Sequence, residues 1–268
     1  MNIPLVYSKF LSEISSGFMD VGGIKTAYYF HHNNSDKTIL LIHGIGGDFH
    51  GMIPLAYCLK DNANILFVDL PSHGNSQLIK NTDVRNIEDW AKGLIVAFRK
   101  KNLKIDVVVA HSLGCLAARK VNCSKIWYVN PPIKASVAVK ISSAILYRIR
   151  WINQYVYLNY YFSVLRGVCL MRDKQKNTIN LVKWLTKKTN VTSRQYLEQA
   201  RIARDIPIKE RSVNSGKEFT GMIVGRFDKI TRPVRPSGLR IDKFVELETG
   251  HLSVLDSPEL IAKLILSE

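Results

Sequence analysis

The feature that most restricts the fold of this chain is the run Val107–Gly114, with the sequence VVVAHSLG. Three consecutive valines predict a strand that is buried on both faces. The residues after Gly114 are good helix formers, so the chain must pass from strand to helix within a few residues. Ser112 stands at that turn, between the small residues Ala110 and Gly114. Because small residues let strand and helix approach closely, the run predicts a sharp, strained turn that holds the Ser112 hydroxyl clear of the sheet. The alternative for so short a motif is a serine that caps a helix.

Three further segments each join an apolar strand to a loop with polar residues or glycines. They are Thr38–His43 followed by Gly44–Gly47, then Gly221–Asp228, then Val245–His251. Glycines after the first strand leave the backbone free to present N–H groups to a developing negative charge. The second segment ends in a carboxylate and the third in an imidazole. The chain therefore carries serine, aspartate and histidine, in that order, each after a predicted strand.

With these segments the chain resembles the α/β-hydrolase superfamily, in which the nucleophile, acid and base follow in this order. The matching stretches are His43–Gly47, Asp69–Ser76, Ala110–Gly114, Gly225–Asp228, Gly250–Leu252 and the helical tail Leu255–Ile265. Ala110 stands where the family usually has glycine, which keeps that position small. The resemblance implies a mostly parallel central sheet with helices on both faces and a helical lid insertion. We expect the core to comprise residues 1–132 and 211–268, with a strongly basic helical lid at 133–210.

The alternation of strands and helices supports the same fold class without the resemblance. Strands are predicted near 25–30, 38–43, 65–69, 107–111, 125–130, 219–224 and 244–247, and helices near 52–60 and 87–100. Strands that alternate with helices imply crossover connections and a parallel sheet. In such sheets functional sites form beyond the carboxyl ends of the strands.

The predicted chemistry is nucleophilic catalysis on an acyl group. Ser112 would attack, His251 would accept its proton, and Asp228 would hold the imidazole in the correct tautomer. The N–H of Leu113, the residue after the nucleophile, would be one oxyanion donor. The resemblance implies that the N–H of Ile45 is the second.

Further residues are predicted to bind substrate or to support the structure. His111 and Gly46 are expected to line the substrate pocket, together with lid residues that the sequence does not identify. His43, His73 and Asp69 are expected to be structural. We expect neither a cofactor nor a metal, because the mechanism needs none.

Two other carboxylates compete with Asp228 for the role of the acid. Asp242 precedes a predicted strand and would lie at its wrong end. Asp256 lies near a helix start, where a carboxylate suits an N-cap.

The net charge of +16 is concentrated in the predicted lid. Between Lys134 and Arg211 there are 16 Lys or Arg residues and four acidic ones, so this stretch holds +12 of the total. It is also rich in aromatic residues, which predicts amphipathic helices with an apolar inner face. A field of one sign over a site entrance attracts an anionic partner. The alternative is a solvated basic face without a partner.

Three kinds of anionic partner attract such a basic stretch. An acidic acyl carrier protein is one, because the chain is similar in size, layout and basic lid to the superfamily's esterase branch that acts on pimeloyl-carrier-protein methyl ester in biotin synthesis. An anionic membrane surface is the second, which would suit a lysophospholipase or lipase. Nucleic acid is not expected, because no binding signature accompanies the basic residues.

A general carboxylesterase and a catalytically inactive binding scaffold remain alternatives, since a fold alone never proves an activity. Within 268 residues, 46% are hydrophobic, enough for one large core. No apolar run of about 18 residues predicts a membrane span, and the first residues lack the pattern of a signal peptide. Four cysteines without metal-binding spacing then favour reduced thiols and a cytoplasmic location.

Overall fold

A computed structural model describes residues 3–80, 84–132, 175–188, 192, 194–195, 198–199, 201–202, 217–231, 235 and 240–268. The strands of this part are β1 (Ser15–Val21), β2 (Ile24–His31), β3 (Thr38–Ile42), β4 (Asn64–Val68), β5 (Val107–His111), β6 (Lys125–Val129), β7 (Phe219–Gly225) and β8 (Lys243–Leu247). They form one sheet in the order β1-β2-β4-β3-β5-β6-β7-β8.

The described residues also form helices before, between and after these strands. They are α1 (Ile3–Ser12), α2 (Ile53–Leu59), α3 (Val84–Arg99), α4 (Leu113–Ala118), α5 (Gln175–Thr186), α6 (Ser253–Asp256) and α7 (Pro258–Leu266), with a 3₁₀ helix at Phe49–Met52. Pro258 opens α7 at a position where its missing N–H costs nothing.

The sheet is parallel from β4 to β8 and antiparallel at its other end. The pairs β4–β3, β3–β5, β5–β6, β6–β7 and β7–β8 are parallel, whereas β2 runs antiparallel to both β1 and β4. The predicted fold class, a mostly parallel sheet with helices on both faces, is confirmed.

The sequence reasoning missed α1 and β1. Strand β1 has only a weak alternation of buried and exposed residues. The usable signal was the pair Gly22–Gly23 between two strand-like runs. Both glycines have positive φ, 62° and 85°, as a two-residue hairpin turn requires.

The core consists of two apolar layers, one on each face of the sheet. Successive residues of a strand point to opposite faces, so Leu40 and Val108 face α3 and α4, whereas Ile39 and Val107 face α2 and α7. Strands β3, β4 and β5 are buried along their whole length, which explains their uninterrupted apolar sequences.

The predicted lid lies mostly outside the described residues, since 133–174 and 203–216 are not among them. The described part of it contains α5 as a helix. Among the helices that the structure describes, none is both long and apolar enough to cross a bilayer.

Candidate active site

Ser112 occupies a strained turn between β5 and α4. Its backbone has φ of 48° and ψ of −119°, which is unusual for a residue with a side chain. Its N–H still donates to the Val129 carbonyl oxygen at 2.9 Å, so the turn is anchored to β6. At Gly114 a Cβ atom would lie 2.5 Å from the His43 carbonyl oxygen and 2.6 Å from that of Ile42. Only glycine fits there, as the sequence motif predicts.

The structure brings Ser112, His251 and Asp228 into one hydrogen-bonded line. His251 Nε2 lies 2.9 Å from Ser112 Oγ, and His251 Nδ1 lies 2.8 Å from Asp228 Oδ2. The three residues are 139 and 23 positions apart along the chain, and each is at most 5% exposed. Such an arrangement can remove a proton from the serine hydroxyl as it attacks an electrophile.

Asp228 is held as an ionised acceptor. Its Oδ1 accepts from the N–H groups of Ile230 (2.7 Å) and Thr231 (3.0 Å), and its Oδ2 also accepts from Thr231 Oγ1 (2.5 Å). Burial raises the pKa of Asp228, but the charge of His251 and these hydrogen bonds outweigh burial and bring that pKa well below its ordinary value. An ionised Asp228 requires the proton on His251 Nδ1, which leaves the Nε2 lone pair facing Ser112.

Asn130 is a site residue that the sequence reasoning did not identify. It directly follows β6, has φ of 47° and is 1% exposed. Its Nδ2 donates to Asp228 Oδ2 at 3.1 Å and lies 3.5 Å from the Gly250 carbonyl oxygen, the residue before His251. The usable signal was its position as a polar residue at the carboxyl end of a predicted strand.

Replacing Asn130 with alanine should lower kcat about tenfold to a hundredfold with a smaller change in KM, because the Asp228 carboxylate loses a donor that positions it. Asn130→Gly is the matched control, since glycine relieves the positive φ without restoring the amide. Steady-state kinetics on one activated ester would compare them. If Asn130→Gly kept wild-type kcat, backbone strain rather than the hydrogen bond would explain the alanine variant.

The glycine loop runs against the nucleophile. A Cβ atom at Gly44 would lie 3.0 Å from the Ser112 Cβ and 2.9 Å from His111 Nδ1, so the backbone of this loop is packed beside the serine. Gly46 has φ of 83°, which favours glycine. Leu113 is the first residue of α4, where N–H groups have no partner within a helix. Of the two predicted oxyanion donors, Leu113 directly follows Ser112, and Ile45 directly follows Gly44, which packs beside Ser112.

Asp69 holds the residues that follow the glycine loop. Its Oδ1 accepts from the Phe49 N–H at 2.9 Å, and its Oδ2 accepts from Tyr29 Oη at 2.8 Å and from the Asn75 N–H at 2.9 Å. Burial and the nearby charge of Asp48 raise the pKa of Asp69 to about 7. All these contacts are internal, which agrees with a structural role.

Three buried histidines surround the site, and each donates from one ring nitrogen to a backbone carbonyl oxygen. His111 Nε2 donates to the His251 carbonyl oxygen at 2.9 Å and so joins the serine turn to the histidine loop. His43 Nδ1 donates to the Gly44 carbonyl oxygen at 2.7 Å, and His73 Nδ1 donates to that of Pro71 at 2.9 Å. Burial lowers the pKa of His43 to about 4 and the pKa values of His73 and His111 to about 3.

These shifts predict that the protein loses stability in mild acid. Each histidine stays neutral when folded but takes up a proton when unfolded, so its contribution is complete above about pH 6.5 and is lost as the pH falls towards 4. The raised pKa of Asp69 acts in the opposite direction between pH 7 and 4. Three histidines against one aspartate give a net loss of roughly 2–3 kcal/mol per pH unit between pH 6 and 5.

Urea unfolding at pH 7, 6 and 5 would measure this slope. In His73→Asn the slope should be smaller by roughly half, because one of two net protons is removed. A free energy of unfolding that stays constant from pH 7 to 5 would contradict the expectation.

The residues that could compete for the roles of acid and nucleophile lie away from Ser112 or make other contacts. Asp242 precedes β8 and accepts from the Thr220 N–H at 2.8 Å, at the opposite edge of the sheet. Asp256 accepts from Thr178 Oγ1 at 3.0 Å and thereby holds α5; the predicted N-cap role is wrong, because Ser257 occupies the N-cap position of α7. Cys115 is buried in α4, and burial raises the pKa of its thiol, which keeps it unreactive.

Within the described ranges, no group of three or more His, Cys, Asp or Glu side chains is arranged to hold a metal ion. The candidate site thus consists of the serine turn, the glycine loop and the loops after β6, β7 and β8. All of them lie at one edge of the sheet because the strands that lead into them are parallel.

Comparison with known proteins agrees with this fold. A family model described as "Alpha/beta hydrolase family" matches residues 39–264. A protein of Haemophilus influenzae provisionally named esterase/lipase is 28% identical over 97 residues, covering 35% of this chain and 33% of that protein. The chain thus spans about a third of the length of the curated relatives it matches.

Solved structures share the whole fold at low sequence identity. An esterase from Thermogutta terrifontis has a TM-score of 0.72 at 18% identity, covering 94% of this chain and 97% of that one. The enol-lactonase from Burkholderia xenovorans has a TM-score of 0.74 at 17% identity, covering 94% and 98%. At this identity the likeness concerns the fold.

Proposed function

This chain belongs to the alpha/beta hydrolase family, and we propose that it is a serine hydrolase that cleaves a carboxylic ester or thioester through an acyl-enzyme. The observation that carries the proposal is the line from Ser112 Oγ to His251 Nε2 (2.9 Å) and from His251 Nδ1 to Asp228 (2.8 Å). The strained backbone of Ser112 supports it, because strain at a buried polar residue is rarely retained without a function. The esterase/lipase name of the Haemophilus influenzae relative points to the same bond class.

In the acylation step, Ser112 Oγ forms a bond to the carbonyl carbon of the substrate while His251 Nε2 takes the serine proton. The carbonyl oxygen becomes an oxyanion, which the N–H groups of Leu113 and Ile45 would stabilise. When the tetrahedral intermediate collapses, the bond to the leaving alcohol or thiol breaks. His251 then gives its proton to the leaving group, and Asp228 stabilises the imidazolium that exists between these transfers.

In the second half of the reaction, water replaces the leaving group. His251 takes a proton from the water as its oxygen attacks the acyl carbon, and the acid product leaves as Ser112 regains its proton. Neither a cofactor nor a metal takes part in these steps. His111, bonded to the His251 carbonyl oxygen, would keep the base at the same distance from Ser112 throughout.

We further propose that the acyl group arrives on an acidic acyl carrier protein, as in the hydrolysis of pimeloyl-carrier-protein methyl ester in biotin synthesis. The net charge of +16 supports an anionic partner. A cytoplasmic location would follow, and the free thiols of Cys58, Cys115 and Cys123 agree with it.

Helix α5 offers a surface for such a carrier next to the site. Its Leu185 is 4% exposed and lines a pocket beside the glycine loop. Lys183 in α5 and Lys187, the first residue after it, are four positions apart, and both are exposed. The described sequence of α5 contains no acidic residue to neutralise them. Lys183 and Lys187 thus lie within two residues of Leu185, whose side chain lines the pocket.

The test compares pimeloyl methyl ester on acyl carrier protein with the same ester on pantetheine, at low and high salt. Faster turnover on the protein, lost as salt rises, would support the carrier. Equal turnover on both would remove the carrier and favour a general carboxylesterase. Turnover that increases on anionic lipid vesicles would instead favour a membrane-lipid hydrolase.

Charge reversal locates the contact. Lys183→Glu/Lys187→Glu should lower kcat/KM for the carrier substrate about tenfold or more and leave the pantetheine substrate nearly unchanged. Lys100→Glu/Lys120→Glu is the matched control, because both lysines are exposed and follow the ends of α3 and α4 that lie away from the serine turn. Equal losses in the two double variants would indicate a general charge effect and contradict docking on α5.

A further inference from the structure

A small pocket opens directly beside the glycine loop. Its volume is about 70 Å³. Apolar side chains form much of its wall among the described residues: Ile45, Met52, Leu185, Leu252, Val254 and Leu255. His111 and Gly44, both next to Ser112, also line it. A group in this pocket would therefore be attached within a few bonds of a carbonyl carbon at the serine.

The polar residues of this wall include a second histidine–aspartate pair, His50 and Asp48. His50 Nδ1 lies 2.9 Å from Asp48 Oδ1, close to the 2.8 Å between His251 and Asp228. Asp48 Oδ1 also accepts from the His50 N–H at 3.0 Å, and the Phe49 ring lies 4.0 Å from the imidazole. These contacts hold the ring in one orientation before any ligand binds.

The hydrogen bond to Asp48 determines what His50 can offer. Because the Nδ1–H of a neutral His50 ring donates its hydrogen bond to the carboxylate, the Nε2 lone pair remains and can accept a hydrogen bond from a ligand. A ligand hydroxyl supplies the matching donor. A ligand carboxylate would instead need a charged ring and would add a second anion beside Asp48, which disfavours it.

We propose that His50 is a specificity-determining residue that accepts a hydrogen bond from a hydroxyl group of the substrate, so that an ester with a hydroxyl near the reacting carbonyl is preferred over one without it. Pimeloyl methyl ester has no such hydroxyl, so this preference, where it is found, counts against that carrier-bound substrate and not against the hydrolase. The proposal rests on the serine hydrolase function proposed above. Ser112, His251 and Asp228 act on the reacting bond alone and do not determine which other groups the substrate carries. The proposal assigns part of that selection to His50. The hydroxyl could belong to the acyl part or to the alcohol part, because the pocket lies beside the point where both meet.

Three esters of similar size distinguish these sources: ethyl butyrate, ethyl 3-hydroxybutyrate and 2-hydroxyethyl butyrate. The wild-type kcat/KM should be at least tenfold higher for one of the two hydroxylated esters than for ethyl butyrate, because a site built for a hydroxyl disfavours the analogue that lacks it. A preference for ethyl 3-hydroxybutyrate places the hydroxyl on the acyl side. A preference for 2-hydroxyethyl butyrate places it on the alcohol side.

The variants assign the preference to His50. His50→Phe keeps a ring but no acceptor and should bring the ratio of hydroxylated to plain ester close to one. His50→Gln keeps an acceptor oxygen and should retain part of the wild-type ratio. This variant tests the proposal even where the phenylalanine variant folds poorly. His32→Phe is the matched control, because His32 is exposed and outside the pocket, and it should keep both the rate and the ratio.

An equal wild-type kcat/KM on all three esters would overturn the role of His50 and leave the hydrolase function intact. A ratio that survives in both His50 variants would do the same. If none of the esters were cleaved and Ser112 did not react with a fluorophosphonate, the proposed function itself would fail, and the inference with it.

Discussion

Replacing Ser112 with alanine is expected to lower kcat/KM for ester hydrolysis by about 10⁶-fold, because no other group can form the acyl-enzyme. Covalent labelling by a fluorophosphonate should disappear completely, since the reagent needs the activated serine oxygen. Mass spectrometry of the labelled wild type should find one adduct, on the peptide that contains Ser112. The fold should be unchanged, because alanine is close in size to serine.

Ser72 provides the matched control for this experiment. It is the other serine at positive φ among the described residues, with φ of 63°, and it is fully buried. Ser72→Ala should therefore reproduce any effect of replacing a buried, strained serine while keeping the label. An active Ser112→Ala variant would contradict the assignment of Ser112 as the nucleophile. A wild type that takes up no label would favour the inactive binding scaffold.

Replacing Asp228 with asparagine is expected to lower kcat by about 10⁴-fold, the loss known for the equivalent change in one triad protease. The asparagine amide would present a donor where His251 Nδ1 needs an acceptor, so the imidazole would keep the wrong tautomer. Donors from Thr231 and Ile230 already surround this carboxyl group, and they favour the side-chain orientation that keeps an oxygen acceptor towards themselves.

Asp256→Asn is the control, because the Asp256 carboxylate lies near the histidine loop, with its Oδ2 3.4 Å from the Gly250 nitrogen. It should cost less than about tenfold in kcat, since it positions a loop rather than the reacting groups. A larger loss in Asp256→Asn than in Asp228→Asn would mean that Asp256 is the acid. Single-turnover measurement of acylation would show that the affected step is the chemical one.

The serine turn, the order of the three predicted catalytic residues and the parallel sheet were all predictable from the sequence. They depend on local patterns, such as a valine strand that runs into a helix and glycines that a close approach requires. The last helix was predictable as well, since Pro258 marks its first turn. Such signals need no knowledge of contacts between distant residues.

The contacts that the sequence did not reveal join distant or unmarked residues. Asn130 meets Asp228 98 positions later, and His111 meets the His251 carbonyl oxygen 140 positions later. Asp48 and His50 are close in sequence, yet nothing in their spacing shows that they line a pocket beside Ser112. The acyl pocket could not be located either, because residues 133–174 of the predicted lid match no familiar motif and lie outside the described part.

The position of β8 has a consequence for how this protein loses activity. It is the last strand in the order, pairs only with β7 in the described sheet, and has a single buried residue, Leu247. The loop with His251 follows it. Elements with so little burial open locally at a lower free energy than the core strands β3 and β5. Hydrolysis should therefore fail at a lower urea concentration than the loss of far-UV circular dichroism, so that activity reports on the opening of this edge. Coincident urea curves would show that the edge and the core unfold as one cooperative unit.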